Sequence, residues 1–540
     1  MSFVGFLQNI VGEPTWMFNW GDAFGYEHYY SHLLAKLILF IYGLSLVLIF
    51  FYSILQLSLA VIYRNNKSKE KEALPEFDAD RAPLVTVQMP IFNEYYVAER
   101  AIERIAQLEY PHDKLEIQVL DDSTDETYGV IKRKVEEVKE KYNVNIKHIH
   151  RANRVGFKAG ALDDALPAAK GEFIAIFDVD FLPNTNFLKK TIPQFKDEKV
   201  GVVQTRWGHI NKDFSLLTEL QAFGLNGHFA IEQGGRNAAG HYINFNGTGG
   251  VWRKTCIHSA GGWEHDTLTE DLDLSYRAQI KGWKFNYLED VIAPAELPIT
   301  MSALKGQQHR WMKGGAECFR KVGAKLITTK GLRLSDRIHG LSHLFNSSVF
   351  VFILIMSLLS IPVLHIKDSF TDLNYFLQFG GVFIFSTLFL MFYYWNSYRD
   401  KTENKPKSIL QFIGRFLQFL TISMGLSLSN AIAVIEGYMG IKSSFVRTPK
   451  FNVSSKSNQV ENKYDKKSIS LITIAEGVLF IIFGFTAISR LFYGDIGMVP
   501  FHLMLACGYG SVFFYSIAEV RPALFAFVPK FNTSTSNANI

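Results

Sequence analysis

Five charge-poor stretches set the limits on what this chain folds into: residues 32–63, 344–366, 375–395, 469–492 and 498–520. Each is apolar over the roughly 20 residues that a helix needs to cross a bilayer core. Runs of that length, almost free of charge, predict membrane-spanning helices and not buried helices of a soluble core. Between the first and second run lies a long polar segment, 64–335, of ordinary soluble composition. Charged residues make up 20% of the 540-residue chain, below the roughly 25% usual for soluble proteins, and the deficit falls on the apolar runs.

A sixth apolar stretch, 409–439, behaves differently. It carries Arg415 and Glu436, and its flanks are basic: four Lys or Arg in 396–407 and seven in 440–467. Basic flanks collect on the cytoplasmic side. Two cytoplasmic ends are incompatible with one crossing, so an amphipathic interfacial helix or a re-entrant pair is expected. Residues 1–35 contain no Lys or Arg, which places the N-terminus outside and the polar segment inside. The expected order is an outer segment (1–32), a first membrane helix (33–63) and the cytoplasmic domain (64–335), which ends in interfacial helices. Two membrane helices with the sixth stretch follow (336–440), then a cytoplasmic loop (441–467), two more membrane helices (468–525) and a cytoplasmic tail (526–540). The N-terminal run lacks the basic start and short apolar core of a signal peptide. A net charge of +5 without a basic stripe gives no sign of a nucleic-acid partner. Three cysteines without paired spacing, Cys256, Cys318 and Cys507, fit a reducing compartment. No protein partner is indicated.

The polar segment alternates strand and helix signals. Strands are expected at 85–89, 116–120, 145–150 and 173–177, with helices at 93–108, 124–142 and 158–168 between them. That alternation predicts an α/β domain with a mostly parallel sheet. Ligands of such sheets sit beyond the carboxyl ends of the strands.

The chemically distinctive residues fall at those ends. Asp121-Asp122 follows the second strand directly and suits either a base or ribose, or a helix cap. Asp178 and Asp180 follow the apolar run 173–177; i and i+2 carboxylates share one side of a strand. Two such oxygens suit a hard cation, Mg²⁺ or Mn²⁺, bridging to a diphosphate, or form a solvated strand end. The segment Asn153–Leu162 places two glycines, Arg154 and Lys158 ahead of a helix, as a phosphate cradle or a plain helix start. Glu270, Asp271 and Asp273 crowd a helix start. Capping accounts for one or two of them, and a third leaves room for a general base. Gln307-Gln308-His309-Arg310-Trp311 offers a cation for a leaving diphosphate and a flat ring for a sugar, or an interfacial anchor.

Taken in order, these motifs resemble the processive family 2 glycosyltransferases, the group of cellulose, hyaluronan and chitin synthases. The likeness covers about 84–335. It includes Phe245–Arg253, Gln204-Thr205-Arg206-Trp207, Gly282–Phe285 and Glu296-Leu297-Pro298, and is nearest to the plant cellulose-synthase-like A and C mannan and glucan synthases. The resemblance implies a GT-A domain set within a helical transmembrane bundle. It implies donor nucleotide binding by Asp121, Asp122, Lys158, Asp178, Gln307 and Arg310, and a cation, Mg²⁺ or Mn²⁺, on Asp178 and Asp180. It makes Asp271 the catalytic base, and Trp311, Glu270 and Trp207 the acceptor contacts. Phe445-Val446-Arg447-Thr448-Pro449-Lys450 resembles a gating loop, with Phe445, Thr448 and Lys450 in place and Arg447 where valine is usual.

The function so implied is inverting, metal-dependent polymerisation of hexose from UDP-glucose or GDP-mannose into a β-1,4-linked polysaccharide. The glycan would cross the plasma or inner membrane through the chain's own helices, which contact lipid. The alternative is addition of one sugar to a lipid acceptor.

Overall fold

The computed structural model describes residues 32–67, 75–373, 380–399, 408–443, 445–453, 464 and 468–521. The expected outer segment, apart from His32, and the tail 526–540 lie outside them, as do 375–379 of one expected span.

The domain is built on a seven-stranded sheet in the order β3-β2-β1-β4-β6-β5-β7. The strands are β1 (Val85–Ile91), β2 (Leu115–Asp121), β3 (Asn145–His150), β4 (Phe173–Ile176), β5 (Val200–His209), β6 (Gly250–Arg253) and β7 (Lys284–Ala295). β1 to β4 pair in parallel, as do β5 and β7, while β6 runs antiparallel to both β4 and β5. β1, β2 and β4 are buried almost throughout, as expected of strands covered by helices on both faces. Parallel register aligns their carboxyl ends. Ile91 lies opposite Asp121, and Gln88 opposite Ile176, two residues before Asp178. That shared edge carries the candidate site.

The four strands expected from sequence are present, with β2 reaching Asp121. The expected helix over 93–108 is shorter, Ala98–Ala106. Asn93 takes a left-handed φ of 50°, its N–H donates to Ser123 Oγ, and its Oδ1 accepts from the Thr124 N–H. This turn replaces the first helical turn and points Glu94 at the sheet edge. The helix expected over 124–142 starts at Thr127, whose N–H is held by Asp125 Oδ1.

Four helices among the described residues are long and apolar enough to cross a membrane: His32–Lys67, Leu334–Ser369, Leu471–Phe492 and Val499–Val520. The stretch 375–395 contributes the described helix Gly381–Tyr398. The stretch 409–439 forms two helices, Ile409–Gly425 and Ser427–Met439, bent by 52°. At the bend the backbones of Gly425 and Gly508 meet. A Cβ on Gly425 would lie 2.3 Å from the Gly508 carbonyl oxygen, and one on Gly508 2.3 Å from that of Thr421. Gly508→Ala is expected to destabilise the bundle by about 1–3 kcal/mol, since backbone cannot give way as a side chain does. The readout is a lowered midpoint of thermal unfolding in detergent.

The helix Met301–Thr328 carries Gln307–Trp311. Membrane helices grip its start. Glu519 accepts from the N–H groups of Met301 and Ser302, and Lys305 Nζ lies 2.5 Å from Glu476 Oε2. The helix is thereby fixed to the helical bundle at one end while its 307–311 turn faces the sheet edge.

Candidate active site

One cavity at the carboxyl edge of β1, β2 and β4 gathers almost every residue singled out from sequence. Asp122, Lys158, Asp178, Asp180, Trp207, Glu270, Asp271, Gln307, Arg310, Trp311, Phe445, Thr448 and Lys450 all line it. Asp121 does not. Adjacent residues at a strand end point to opposite sides. Asp121 is fully buried, with Oδ2 2.8 Å from His148 Nε2 and Oδ1 accepting from the Ser123 N–H. Burial works against its charge, but those hydrogen bonds outweigh it and hold the carboxyl below its usual range. Asp122 faces the cavity and is clasped by Arg151, whose Nε and Nη2 donate to its two oxygens at 2.7 and 2.6 Å.

Asp178 follows β4, with its N–H donating to Thr248 Oγ1. Its Oδ1 lies 2.5 Å from Lys158 Nζ, which also donates to the Gly247 carbonyl at 2.9 Å. Burial opposes the Lys158 charge, yet Asp178, Glu270 and Asp271 around it raise its pKa above the usual value. Asp180 Oδ2 accepts from Lys450 Nζ at 2.7 Å. Asp178 and Asp180 both line the cavity and offer the carboxylate oxygens that Mg²⁺ or Mn²⁺ prefers, so their chemistry fits such an ion. Two other ligand-like groups exist among the described residues: Asp121 with His148 and His150, and Glu264 with Asp266 and Asp273. The second is bridged by Lys321.

Glu270 and Asp271 open the helix Glu270–Ile280, whose N-cap residue Thr269 makes no side-chain cap. Asp273, the third acid, is tied to Arg277 and Lys321 and is structural. Asp271 Oδ1 accepts only from the adjacent Leu272 N–H at 2.9 Å, among the described residues. Burial first, and the Glu270 charge second, push its pKa up to about 7 against the pull of Lys158. A carboxyl poised near neutrality is suited to proton transfer.

Gly247 approaches this carboxyl closely. At its φ of 79°, a Cβ would sit 3.1 Å from Asp271 Oδ2 and 3.5 Å from Lys158 Nζ. Gly247→Ala is expected to cost activity about tenfold or more through displacement of the carboxyl, because small misplacements at a reacting centre are expensive. Circular dichroism should stay unchanged while initial rates fall.

Arg310 makes no ion pair among the described residues. Its guanidinium stands 4.6 Å from the Phe445 ring centroid, and its one hydrogen bond is a long one, 3.4 Å, to the Val446 carbonyl. Burial lowers its pKa, while Glu270, Asp178 and Asp271 favour its charge. Arg154 likewise has no ion pair among the described residues; its guanidinium lies over Phe92, 3.4 Å from the ring centroid. Trp207 donates to the Thr248 carbonyl at 3.4 Å and packs between Phe181 and Phe229.

The loop 445–453 covers the cavity from the far end of the sequence. Phe445 stacks on Phe157 at 5.8 Å. Arg447, the residue that departs from the expected pattern, pairs with Glu94 at 2.9 Å and donates to the Phe92 carbonyl. Burial pushes the Glu94 carboxyl up to about 8, although Arg447 pulls against it. Glu94 lines the cavity but had no part in the site expected from sequence; Arg154, Arg447 and Glu296, which line it too, were expected only within the candidate phosphate cradle, the gating loop and a family motif. One signal was available for Glu94: it is an acid three residues past the end of the buried strand β1, at the same sheet edge as Asp121-Asp122.

Residues 82–314 match the family described as Glycosyltransferase like family 2. The matched residues take in all seven strands of the sheet and the turn Gln307–Trp311. The chain is similar to a probable glucomannan 4-beta-mannosyltransferase of Oryza sativa subsp. japonica, 42% identical over 283 residues, covering 51% of each chain. It is also similar to a glucomannan 4-beta-mannosyltransferase of Arabidopsis thaliana, 41% identical over 271 residues, covering 49% of this chain and 50% of that one. The chain spans about half the length of these relatives. A solved mannosyltransferase of Pyrobaculum calidifontis, in complex with GDP-mannose and Mn²⁺, is 19% identical with a TM-score of 0.46, covering 68% of this chain and all of that one.

Proposed function

We propose that this protein is an inverting hexosyltransferase that extends a β-1,4-linked glycan from a sugar nucleotide, with mannose favoured as the transferred sugar. The names of the similar relatives support the sugar and the linkage. The observation that carries the reading is one shared cavity: a carboxyl near neutral pKa, Asp271, and an Arg310 without an ion pair among the described residues, together with Asp178 and Asp180. In this reading Asp271 takes the proton of the acceptor hydroxyl as its oxygen attacks the anomeric carbon. The bond from that carbon to the diphosphate breaks on the opposite side, and Arg310 and Gln307 hold the departing nucleoside diphosphate. Trp311 and Trp207 offer faces to the acceptor sugar, and Glu270 a hydrogen-bond acceptor. Asp122, with Asp121 buried behind it, holds the nucleotide. A divalent cation on Asp178 and Asp180 would neutralise diphosphate charge.

The apolar helices support placement in a membrane, with the domain on the cytoplasmic side by the basic-flank rule and the glycan passing between the helices. The test is purified protein in detergent given GDP-mannose, UDP-glucose and other sugar nucleotides in turn, with product size measured. Nucleoside diphosphate release with insoluble or long oligomeric product supports the proposal. An organic-soluble glycolipid as sole product would replace it with single addition to lipid. EDTA is expected to abolish turnover, and excess Mn²⁺ or Mg²⁺ to restore it; undiminished turnover in EDTA would sink the metal assignment.

A further inference from the structure

We propose that Lys450 and the divalent cation compete for Asp180, so that docking of the 445–453 loop and loading of the cation oppose each other. This rests on the metal assignment just given and concerns what controls access to that site.

The Lys450 ammonium lies 2.7 Å from Asp180 Oδ2 and 2.8 Å from the Glu296 carbonyl oxygen. The Lys450 and Asp180 side chains keep only 11% and 7% of their exposure. An ammonium at hydrogen-bond distance occupies the lone-pair direction that a metal ion would use, and two cations held that close in an enclosed site repel each other. A carboxylate has two oxygens, so the competition is one of charge: each cation weakens the other's hold on Asp180.

The loop is fixed by polar contacts at several points. Arg447 pairs with Glu94 at 2.9 Å, the Phe451 N–H donates to Glu296 Oε1 at 2.6 Å, and Asn452 Oδ1 accepts from Arg100 at 2.5 Å. Between the two anchoring cations, Thr448 buries its hydroxyl without a hydrogen-bond partner among the described residues. Buried hydroxyls are normally satisfied. The docked loop is thus held by two ion pairs and by hydrogen bonds around them, with one buried hydroxyl unsatisfied between the cations.

Cavity size and charge point the same way. With the loop docked the cavity is about 180 Å³, below the roughly 300–1,000 Å³ of small-molecule sites. A sugar nucleotide entering this space would crowd the docked loop. Seven carboxylates and five Lys or Arg side chains line the cavity, and the loop supplies two of the five. Withdrawing it leaves three cations against seven acids, which favours a divalent ion. By linkage, whatever binds one state draws the population towards it.

The test uses full-length protein in detergent and reads free Mn²⁺ by its aqueous electron paramagnetic resonance signal. Lys450→Met is expected to tighten Mn²⁺ binding by about tenfold or more, as expected when a partly buried competing charge is removed. The gain should vanish in an Asp180→Asn background. In the wild type, Mn²⁺ should speed tryptic cleavage after Arg447 and Lys450. If Mn²⁺ binds in an Asp180-dependent way but Lys450→Met leaves its affinity equal or weaker, or cleavage ignores Mn²⁺, the competition is refuted and the metal assignment stands. If the wild type shows no Asp180-dependent Mn²⁺ binding, both fall together.

Discussion

Replacing Asp271 by Asn is expected to lower kcat by about a thousandfold, within the range that a positioned general base contributes, while donor KM changes little. Asparagine keeps the shape and cannot accept the proton. The pH profile carries a second signature. In the free protein the carboxyl titrates near 7, raised first by burial and then by Glu270. The base works deprotonated, so kcat/KM should climb as pH rises through about 7 and level off above it. Glu270→Gln removes the second cause and should move that limb to lower pH. A raised carboxyl also binds its proton in the fold at pH values where the unfolded chain has lost it. Between the ordinary value of 3.8 and about 7, this group therefore makes stability fall as pH rises. Asp271→Asn should then be no less stable than the wild type at pH 8, which separates lost chemistry from lost folding. Retained turnover in a stable Asp271→Asn protein would remove Asp271 from the base role.

How much of this was legible in the sequence depended on whether the cause was local. β1 to β4 are buried runs separated by helices, and such strands can be read from their own residues. β6 is four residues, Gly250–Arg253, and its antiparallel course is set by pairing with β4 and β5. Nothing within Gly-Val-Trp-Arg dictates direction. The acids of the site were visible because each follows a strand or opens a helix. Which of two neighbours faces the cavity was not. Asp121 and Asp122 are indistinguishable by spacing, and only the packing of His148 behind β2 turns Asp121 inward. Long-range partners were equally hidden: Arg447 and the Phe92 carbonyl it meets are 355 residues apart. The departure of Arg447 from the usual valine becomes intelligible once Glu94 stands opposite, since a buried carboxylate calls for a counter-charge.

Arg310→Ala is expected to cost about 100- to 1,000-fold in kcat, the scale of losing one preorganised group that stabilises developing charge. The argument starts from which cavity cations are already committed. Lys158 is on Asp178, Lys450 on Asp180 and Arg447 on Glu94. Arg154 lies against Phe92, and burial lowers its pKa although the Asp122 charge pulls the other way. Arg310 stands on the side of Asp271, half-buried, with no carboxylate in ion-pair range among the described residues. Keeping a guanidinium there without a partner is costly unless an anion arrives, and the charge that appears during transfer is on the leaving diphosphate. A planar fork can hold two of its oxygens at once, whereas an ammonium acts as a point charge. Arg310→Lys should therefore recover only a minor part of the loss. Single-turnover release of nucleoside diphosphate separates the two ways Arg310 can act. A fall in the chemical rate at saturating donor identifies stabilisation of the departing group. An unchanged rate with raised KM would instead reduce Arg310 to an anchor for the donor in its ground state, since uniform binding energy lowers KM without accelerating the step.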